Sequence, residues 1–114
     1  MGFFEREREI REQAEKLAPR VTLTEREHHR EGYKRFQVHL GETSLGFVEH
    51  GDETLERRPK GAVYVTRRWT RKRWVEDPDS RYRIPWAGRL YYGSRKAAIQ
   101  ALLETLLRHE KLAV

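Results

Sequence analysis

The stretch SRKAAIQALLETLLR, residues 94–108, decides the fold. Its apolar residues recur three and four positions apart and form one broad face, which is typical of an amphipathic helix. Ser94 is a favourable N-cap, because its hydroxyl can accept a hydrogen bond from a main-chain N–H of the first turn. We expect this helix to cover one face of a sheet. Its apolar residues are Ala98, Ile99, Leu102, Leu103, Leu106 and Leu107.

The sheet is predicted upstream of this helix, over residues 33–92. Residues 33–50 indicate a hairpin, because apolar and polar side chains alternate on both sides of Gly41-Glu42-Thr43, which suits a turn. The rest of the sheet is less regular in pattern, and Pro85 indicates an interrupted or edge strand. The remaining predictions are a polar loop at 51–61, a strand at 62–69, a turn at 70–72, a returning strand from Arg73, a turn cluster at 76–80 and a strand within 81–92.

Residues 3–17 predict a second helix, which Pro19 ends. Its apolar stripe is narrow, so the helix is expected to be peripheral or to pack on a partner or a second copy. The stripe consists of Phe3, Ile10, Ala14 and Leu17. Together these elements predict an α+β fold in one domain, residues 1–114: an N-terminal helix, an antiparallel sheet of four to five strands, and a C-terminal helix packed on one sheet face.

Composition excludes several classes of protein. The 114 residues include no Cys, which rules out disulfides and thiolate metal sites. No run approaches the roughly 18 apolar residues of a membrane span, so no membrane partner is expected. The first residues become charged at Glu5, unlike a signal peptide, and we expect a cytoplasmic protein.

No catalytic constellation is evident either. The five His residues show no recognised metal-ligand spacing, and neither a phosphate-binding glycine loop nor a nucleophile elbow occurs. Residues 49–52, Glu-His-Gly-Asp, could hold a catalytic or metal group but are expected to form a polar loop. We therefore predict a binding protein without enzymatic activity, cofactor or metal.

The charge is divided unevenly along the chain. Residues 1–59 contain 11 Lys/Arg and 13 Asp/Glu, a net charge of −2, whereas residues 60–114 contain 13 and 5, a net charge of +8. Such asymmetry indicates a polyanionic or acidic partner.

The excess is concentrated around RRWTRKRW, residues 67–74, which holds five cations and two of the three Trp. Cations neutralise phosphates and release counterions, and planar aromatic groups stack on bases. The sequence alone leaves open whether Trp69 and Trp74 are core or exposed. The predicted nucleic-acid-binding residues are Arg67, Arg68, Trp69, Arg71, Lys72, Arg73, Trp74, Arg81, Arg83, Arg89, Arg95 and Lys96.

Residues 63–107 resemble the three-stranded-sheet-plus-helix DNA-binding domain of plant ethylene-response factors and of some phage-type integrase N-termini. The matching segments are Arg67-Arg68-Trp69, Trp74-Val75-Glu76, Gly88-Arg89-Leu90-Tyr91, and Ser94 with its Ala-containing helix. Thr70 stands where that family has a turn glycine. The resemblance implies that the sheet enters the DNA major groove through Arg67, Arg68, Trp69, Arg71, Arg73 and Trp74.

A second likeness concerns Gly93-Ser94-Arg95-Lys96-Ala97-Ala98, which is similar to the helix entry of double-stranded-RNA-binding domains. The sequence therefore predicts a nucleic-acid-binding module, DNA ahead of RNA. The alternative is a small regulatory or inhibitory protein, encoded by a phage or its host, that binds an acidic surface of a protein partner. Self-association through the N-terminal helix is a further expectation.

Overall fold

Two helices and a four-stranded antiparallel sheet make up the computed structural model, which describes residues 2–58, 60–61 and 66–112. The helices are α1 (Phe3–Leu17) and α2 (Arg95–Arg108). The strands are β1 (Val21–Arg26), β2 (Arg35–Leu40), β3 (Thr43–Arg57) and β4 (Arg67–Pro78). The α+β class predicted from the sequence is confirmed.

The strands lie side by side in chain order, and every neighbouring pair is antiparallel. The turn between β2 and β3 falls at Gly41 and Glu42, as the hairpin pattern predicts. The register of this hairpin shifts after Val38, where a β-bulge brings Gly46 opposite Val38 and Ser44 opposite His39. A bulge of this kind bends and twists the strand that contains it.

The core lies between one face of the sheet and α2, which contacts both β3 and β4. Phe36, Val48 and Glu76 form one row across β2, β3 and β4, and Phe36 and Val48 are buried. Because side chains alternate along a strand, even-numbered residues of β4 point toward the helices. We call the opposite face, with the odd-numbered residues of β3 and β4 from Phe47 onward, the outer face.

Helix α2 supplies the largest share of the core, as its periodicity predicts. All six of its predicted apolar residues are buried. The Ser94 hydroxyl accepts a hydrogen bond from the Ala97 N–H at 3.1 Å, so the predicted N-cap is confirmed. No helix in the described ranges is long and apolar enough to cross a bilayer.

Helix α1 packs on α2 through Ile10, Ala14 and Leu17, all buried. Phe3, the fourth residue of the predicted apolar stripe, is 71% exposed and takes no part in this packing. The Arg6 guanidinium donates a hydrogen bond to the carbonyl oxygen of Arg108, the last residue of α2.

Beyond the sheet, β3 and β4 continue as a two-stranded arm, residues 50–57 paired with residues 67–74, which we call the ribbon. The predicted loop is therefore wrong for residues 51–57. The predicted turn at 70–72 is also wrong, because Thr70 lies within β4 opposite Thr54. The ribbon is held by main-chain pairing and by polar cross-strand pairs, and it lacks the apolar alternation that marks a half-buried strand.

The predicted strand at 62–69 falls partly on residues 62–65, which lie outside the described residues. The strand predicted to return from Arg73 is a continuation of β4. The turn cluster at 76–80 begins later than predicted, since β4 runs to Pro78 and a short 3-10 helix follows at Ser80–Tyr82.

The strand predicted within 81–92 is wrong as well, since only Tyr92 pairs with the sheet, through an isolated bridge to Trp74. Of the segments that carry the DNA-binding-domain resemblance, residues 67–69 and 74–76 therefore lie in one strand, and residues 88–91 lie in none.

Strand β1 was not predicted. Its six residues VTLTER pair with β2 along their whole length, and Leu23 packs against the core. The strands therefore run from Val21 to Pro78, whereas the sequence predicts a sheet over residues 33–92.

Candidate nucleic-acid interface

The ribbon projects from the sheet because β2 accompanies β3 only as far as Glu49. Its paired strands extend roughly 26 Å, at about 3.3 Å per residue. The molecule is correspondingly elongated, with principal dimensions of 52, 41 and 24 Å. Much of the side-chain surface of the ribbon is therefore accessible, especially toward its end.

The outer face of the ribbon carries four predicted binding residues in one row along β4. They share this face because they occupy odd-numbered positions of one strand. Trp69 is 45% exposed and lies opposite Leu55, so an apolar patch sits between cations. The four residues are Arg67, Trp69, Arg71 and Arg73.

Two of these arginines share one carboxylate. Arg71 Nε lies 2.5 Å from Glu53 Oε1, and Arg73 Nε lies 3.8 Å from the same oxygen. Exposed ion pairs contribute about 0–1 kcal/mol, so an incoming phosphate can replace this carboxylate at small cost. This partial neutralisation was not predicted, because Glu53 falls within the predicted loop at 51–61.

The end of the ribbon holds two cations without such compensation. Arg57 and Arg67 lie directly opposite each other, and both are exposed. Within the ranges that the structure describes, neither forms a salt bridge. Like charges opposite each other across an antiparallel pair are destabilising. Arg57 was not predicted as a site residue, although strand alternation finds it once residues 51–57 are assigned to β3.

The helix-side face of the ribbon carries three other predicted residues. Arg68 Nη2 lies 2.5 Å from Glu56 Oε1, and Lys72 Nζ lies 3.4 Å from the carbonyl oxygen of Gly32. Trp74 is half-buried and packs against the core. Arg68, Lys72 and Trp74 therefore do not share a surface with Arg67 and Trp69.

Three further predicted residues follow β4. Arg81 donates a hydrogen bond to the carbonyl oxygen of Ser44, at the end of the sheet away from the ribbon. Arg83 is exposed and has a left-handed backbone conformation, with φ +52°. Arg89 reaches the outer face at the base of the ribbon. Its Nη1 would lie 3.8 Å from the Cβ of an alanine at position 51.

Arg95 and Lys96 begin α2, and they lie on the helix side of the sheet, opposite to the outer face. The Arg95 guanidinium lies 4.6 Å from the centre of the Phe36 ring, on the helix side of β2. Both residues line a groove of about 560 Å³ together with Leu23 of β1. The structure therefore does not bring the twelve predicted residues together on one surface.

A polar cluster at residues 49–52, predicted as a loop, lies within β3 and anchors the loop before β2. The Lys34 N–H donates to His50 Nδ1 at 2.8 Å, and the Lys34 carbonyl oxygen accepts from the His50 N–H at 2.9 Å. The hydroxyl of Tyr33 donates to Asp52. These bonds fix the helix-side face at the base of the ribbon.

His28 completes the cluster, and its side chain is only 3% exposed. Its Nδ1 accepts the Arg30 N–H at 3.0 Å, so Nε2 carries the proton and donates to the carbonyl oxygen of His50 at 2.9 Å. The His50 ring lies 3.9 Å from the Trp74 ring, centre to centre. Among the described residues, no group of three His, Asp or Glu side chains is placed to hold a metal ion.

Acidification is expected to weaken this cluster through His50. Burial, followed by the positive charge of Lys72, holds the pKa of His50 below its ordinary value of 6.5. The folded protein therefore binds this proton less readily than the unfolded chain. As a result, the free energy of unfolding contributed by His50 is fully present above pH 6.5 and decreases as the pH falls below it.

The variant His50→Asn separates this effect from other titrations, because its amide oxygen can still accept the Lys34 N–H and does not titrate. Between pH 7.5 and pH 5, we expect it to lose about 1 kcal/mol less stability than the parent protein, the usual worth of one hydrogen bond. Urea titrations followed by circular dichroism measure this difference. His109→Gln, at an exposed position, is the control. Identical pH profiles for the parent protein and His50→Asn would contradict the assignment.

No family model, no curated protein and no solved structure matches this chain.

Proposed function

We propose that this protein binds nucleic acid, DNA in preference to RNA, through the outer face of the ribbon. The observation that carries the proposal is the row on that face: the opposed, exposed Arg57 and Arg67, followed by the exposed indole of Trp69. A phosphate between the two arginines would relieve their mutual repulsion and release condensed counterions. The indole supplies a flat surface for a base or a sugar.

The shape of the ribbon supports DNA over RNA. The major groove of B-DNA is about 12 Å wide and admits a two-stranded ribbon, whereas the major groove of A-form RNA is deep and too narrow for side-chain readout. The ribbon protrudes far enough to enter such a groove, because β3 and β4 pair without a third strand from residue 50 to residue 57. Arg71 and Arg73 lie nearer its base, where they can reach the flanking phosphates.

The proposal is tested with a matched pair of double variants. Arg67→Ala/Arg71→Ala removes two cations from the outer face, and Arg68→Ala/Lys72→Ala removes two from the helix-side face of the same strand. We expect the outer-face variant to bind a fluorescein-labelled 16-base-pair DNA about tenfold more weakly at 0.1 M NaCl. The slope of log K against log salt should become shallower by about 2, one unit for each lost phosphate contact.

The helix-side variant serves as the control, because it changes the net charge of β4 by the same amount. Fluorescence anisotropy at several salt concentrations measures both variants, and circular dichroism checks that they are folded. Equal losses in the two variants would mean that charge alone matters, and the assignment of the outer face would then be wrong.

A second candidate is binding to an acidic surface of a protein partner, as a small regulatory protein would do. The observation that favours it is Glu53, since Arg71 and Arg73 already contact a carboxylate. If neither duplex nor single-stranded DNA or RNA binds at 50 mM NaCl, the nucleic-acid proposal fails, and this second candidate takes its place.

A further inference from the structure

Residues 83–91, which connect the 3-10 helix to the bridge at Tyr92, expose two large apolar side chains. Trp86 is 84% exposed and Leu90 is 70% exposed, within a segment that has no regular secondary structure. Contiguous exposed apolar patches mark binding surfaces, and two such side chains within five residues make this segment a candidate for one. The same segment contains Arg83 and Arg89 and no acidic residue, so its charge suits a polyanion.

Two contacts set the position of the C-terminal end of this segment. The main chain of Tyr92 exchanges hydrogen bonds with Trp74 of β4, at 2.8 and 3.0 Å. The Arg89 guanidinium lies on the outer face at Gly51, at the base of the ribbon. Trp86 precedes Arg89 by three residues, so their Cα atoms are at most roughly 11 Å apart. The exposed indole therefore belongs to the same short segment as Arg89, whose guanidinium lies on the face proposed for DNA.

We propose that Trp86 stacks on an unpaired base next to the duplex that the ribbon holds, so that the preferred ligand is a DNA duplex with a single-stranded extension. This inference rests on the proposed function and names its substrate class. It makes Trp86 a binding residue and Arg89 the cation that joins the two parts of the interface.

An unpaired base is the fitting partner for chemical reasons. Insertion of an indole between the base pairs of an intact duplex requires a base step to unstack, which opposes binding. A base in a single-stranded extension already has a free π-face, so it stacks on an aromatic side chain without the cost of unstacking a base step.

The experiment compares two fluorescein-labelled probes that share the same 16 base pairs: a blunt duplex, and the duplex with a six-thymine 3′ extension. We expect the protein to bind the extended probe about tenfold more tightly than the blunt one. Trp86→Ala should remove this preference and leave the affinity for the blunt probe and its salt slope unchanged. A change confined to one probe is not expected of a merely structural residue.

Phe4→Ala is the matched control, because Phe4 is a similarly exposed aromatic residue, 85% accessible, on α1. It should retain the full preference for the extended probe. If the parent protein binds both probes equally, or if Trp86→Ala keeps the preference, the inference is overturned while the proposed function stands. If neither probe binds, the proposed function itself fails.

Discussion

Replacement of Gly46 by alanine is expected to lower the free energy of unfolding by about 3–5 kcal/mol, a large part of the total stability of a small domain. Gly46 is buried and has φ +137°, which L-residues rarely adopt. An added Cβ would lie 2.9 Å from Pro78 Cα, 2.8 Å from Asp79 N and still closer to the carbonyl oxygen of Asp77. These are main-chain atoms, so no side chain can move aside to admit the methyl group.

The cost is high because β3 and β4 begin their pairing at this point. Gly46 lies opposite Pro78, and the adjacent Leu45 carbonyl oxygen accepts a hydrogen bond from the Asp79 N–H at 3.0 Å. A displacement here disturbs both the bulge against β2 and the end of β4. The buried Leu45 would move with it.

Two other glycines provide graded controls in urea titrations followed by circular dichroism. Gly51→Ala should change the stability by less than about 0.5 kcal/mol, because its Cβ would meet Val75 at an ordinary distance of 3.6 Å. Gly41→Ala should cost about 1 kcal/mol, since φ is +62° but the surrounding space is open. A loss for Gly46→Ala no larger than that for Gly41→Ala would show that the main-chain approach does not limit this position.

The parts of the fold that could be predicted from the sequence are those built on apolar periodicity. Helix α2 repeats its buried leucines every three to four residues, and Phe36 and Val38 alternate with polar residues in β2. Both patterns arise because one face of the helix or strand is buried. Apolar periodicity does not predict the ribbon, because most of its cross-strand partners are charged or polar, such as Glu53 with Arg71.

The candidate site was predictable in composition and unpredictable in arrangement. The cations and Trp of residues 67–74 are visible in the sequence, but their division between two faces depends on an uninterrupted strand. A turn at 70–72 would have placed them differently. Arg57 was missed for the same reason, since its place opposite Arg67 follows only from the register of β3 with β4.

The variant Glu76→Gln is expected to raise the free energy of unfolding by about 2 kcal/mol at pH 8 and to change it little at pH 4.5. Glu76 lies in β4 on the helix side, opposite the buried Val48. Its Oε2 is buried and has no hydrogen-bond partner among the described residues. Burial, and then the negative charge of Asp77, raises the pKa of Glu76 from 4.5 to about 7, against an opposing hydrogen bond from Thr105.

The sign of the pH dependence follows from that shift. Between pH 4.5 and pH 7 the folded protein keeps a proton on Glu76 that the unfolded chain has lost, so the free energy of unfolding decreases as the pH rises through this range. Above pH 7 the ionised carboxylate is present in both states, and the loss is complete. The full shift corresponds to roughly 3.4 kcal/mol at about 1.36 kcal/mol per pKa unit, which we reduce to about 2 because Glu76 is partly accessible to water.

Glutamine keeps the shape of the side chain and an acceptor for Thr105 but does not ionise. The free energy of unfolding of Glu76→Gln should therefore show no decrease between pH 4.5 and pH 7. Asp77→Asn tests the second cause separately: the decrease in the free energy of unfolding should become smaller and end at a lower pH, because the repelling charge is gone. Glu9→Gln, at an exposed position of α1, should reproduce the parent profile. The His50 and Glu76 titrations overlap between pH 4.5 and pH 6.5 and act in opposite directions, so their effects on the free energy of unfolding partly cancel in the parent protein. Glu76→Gln should leave a free energy of unfolding that rises with pH up to 6.5.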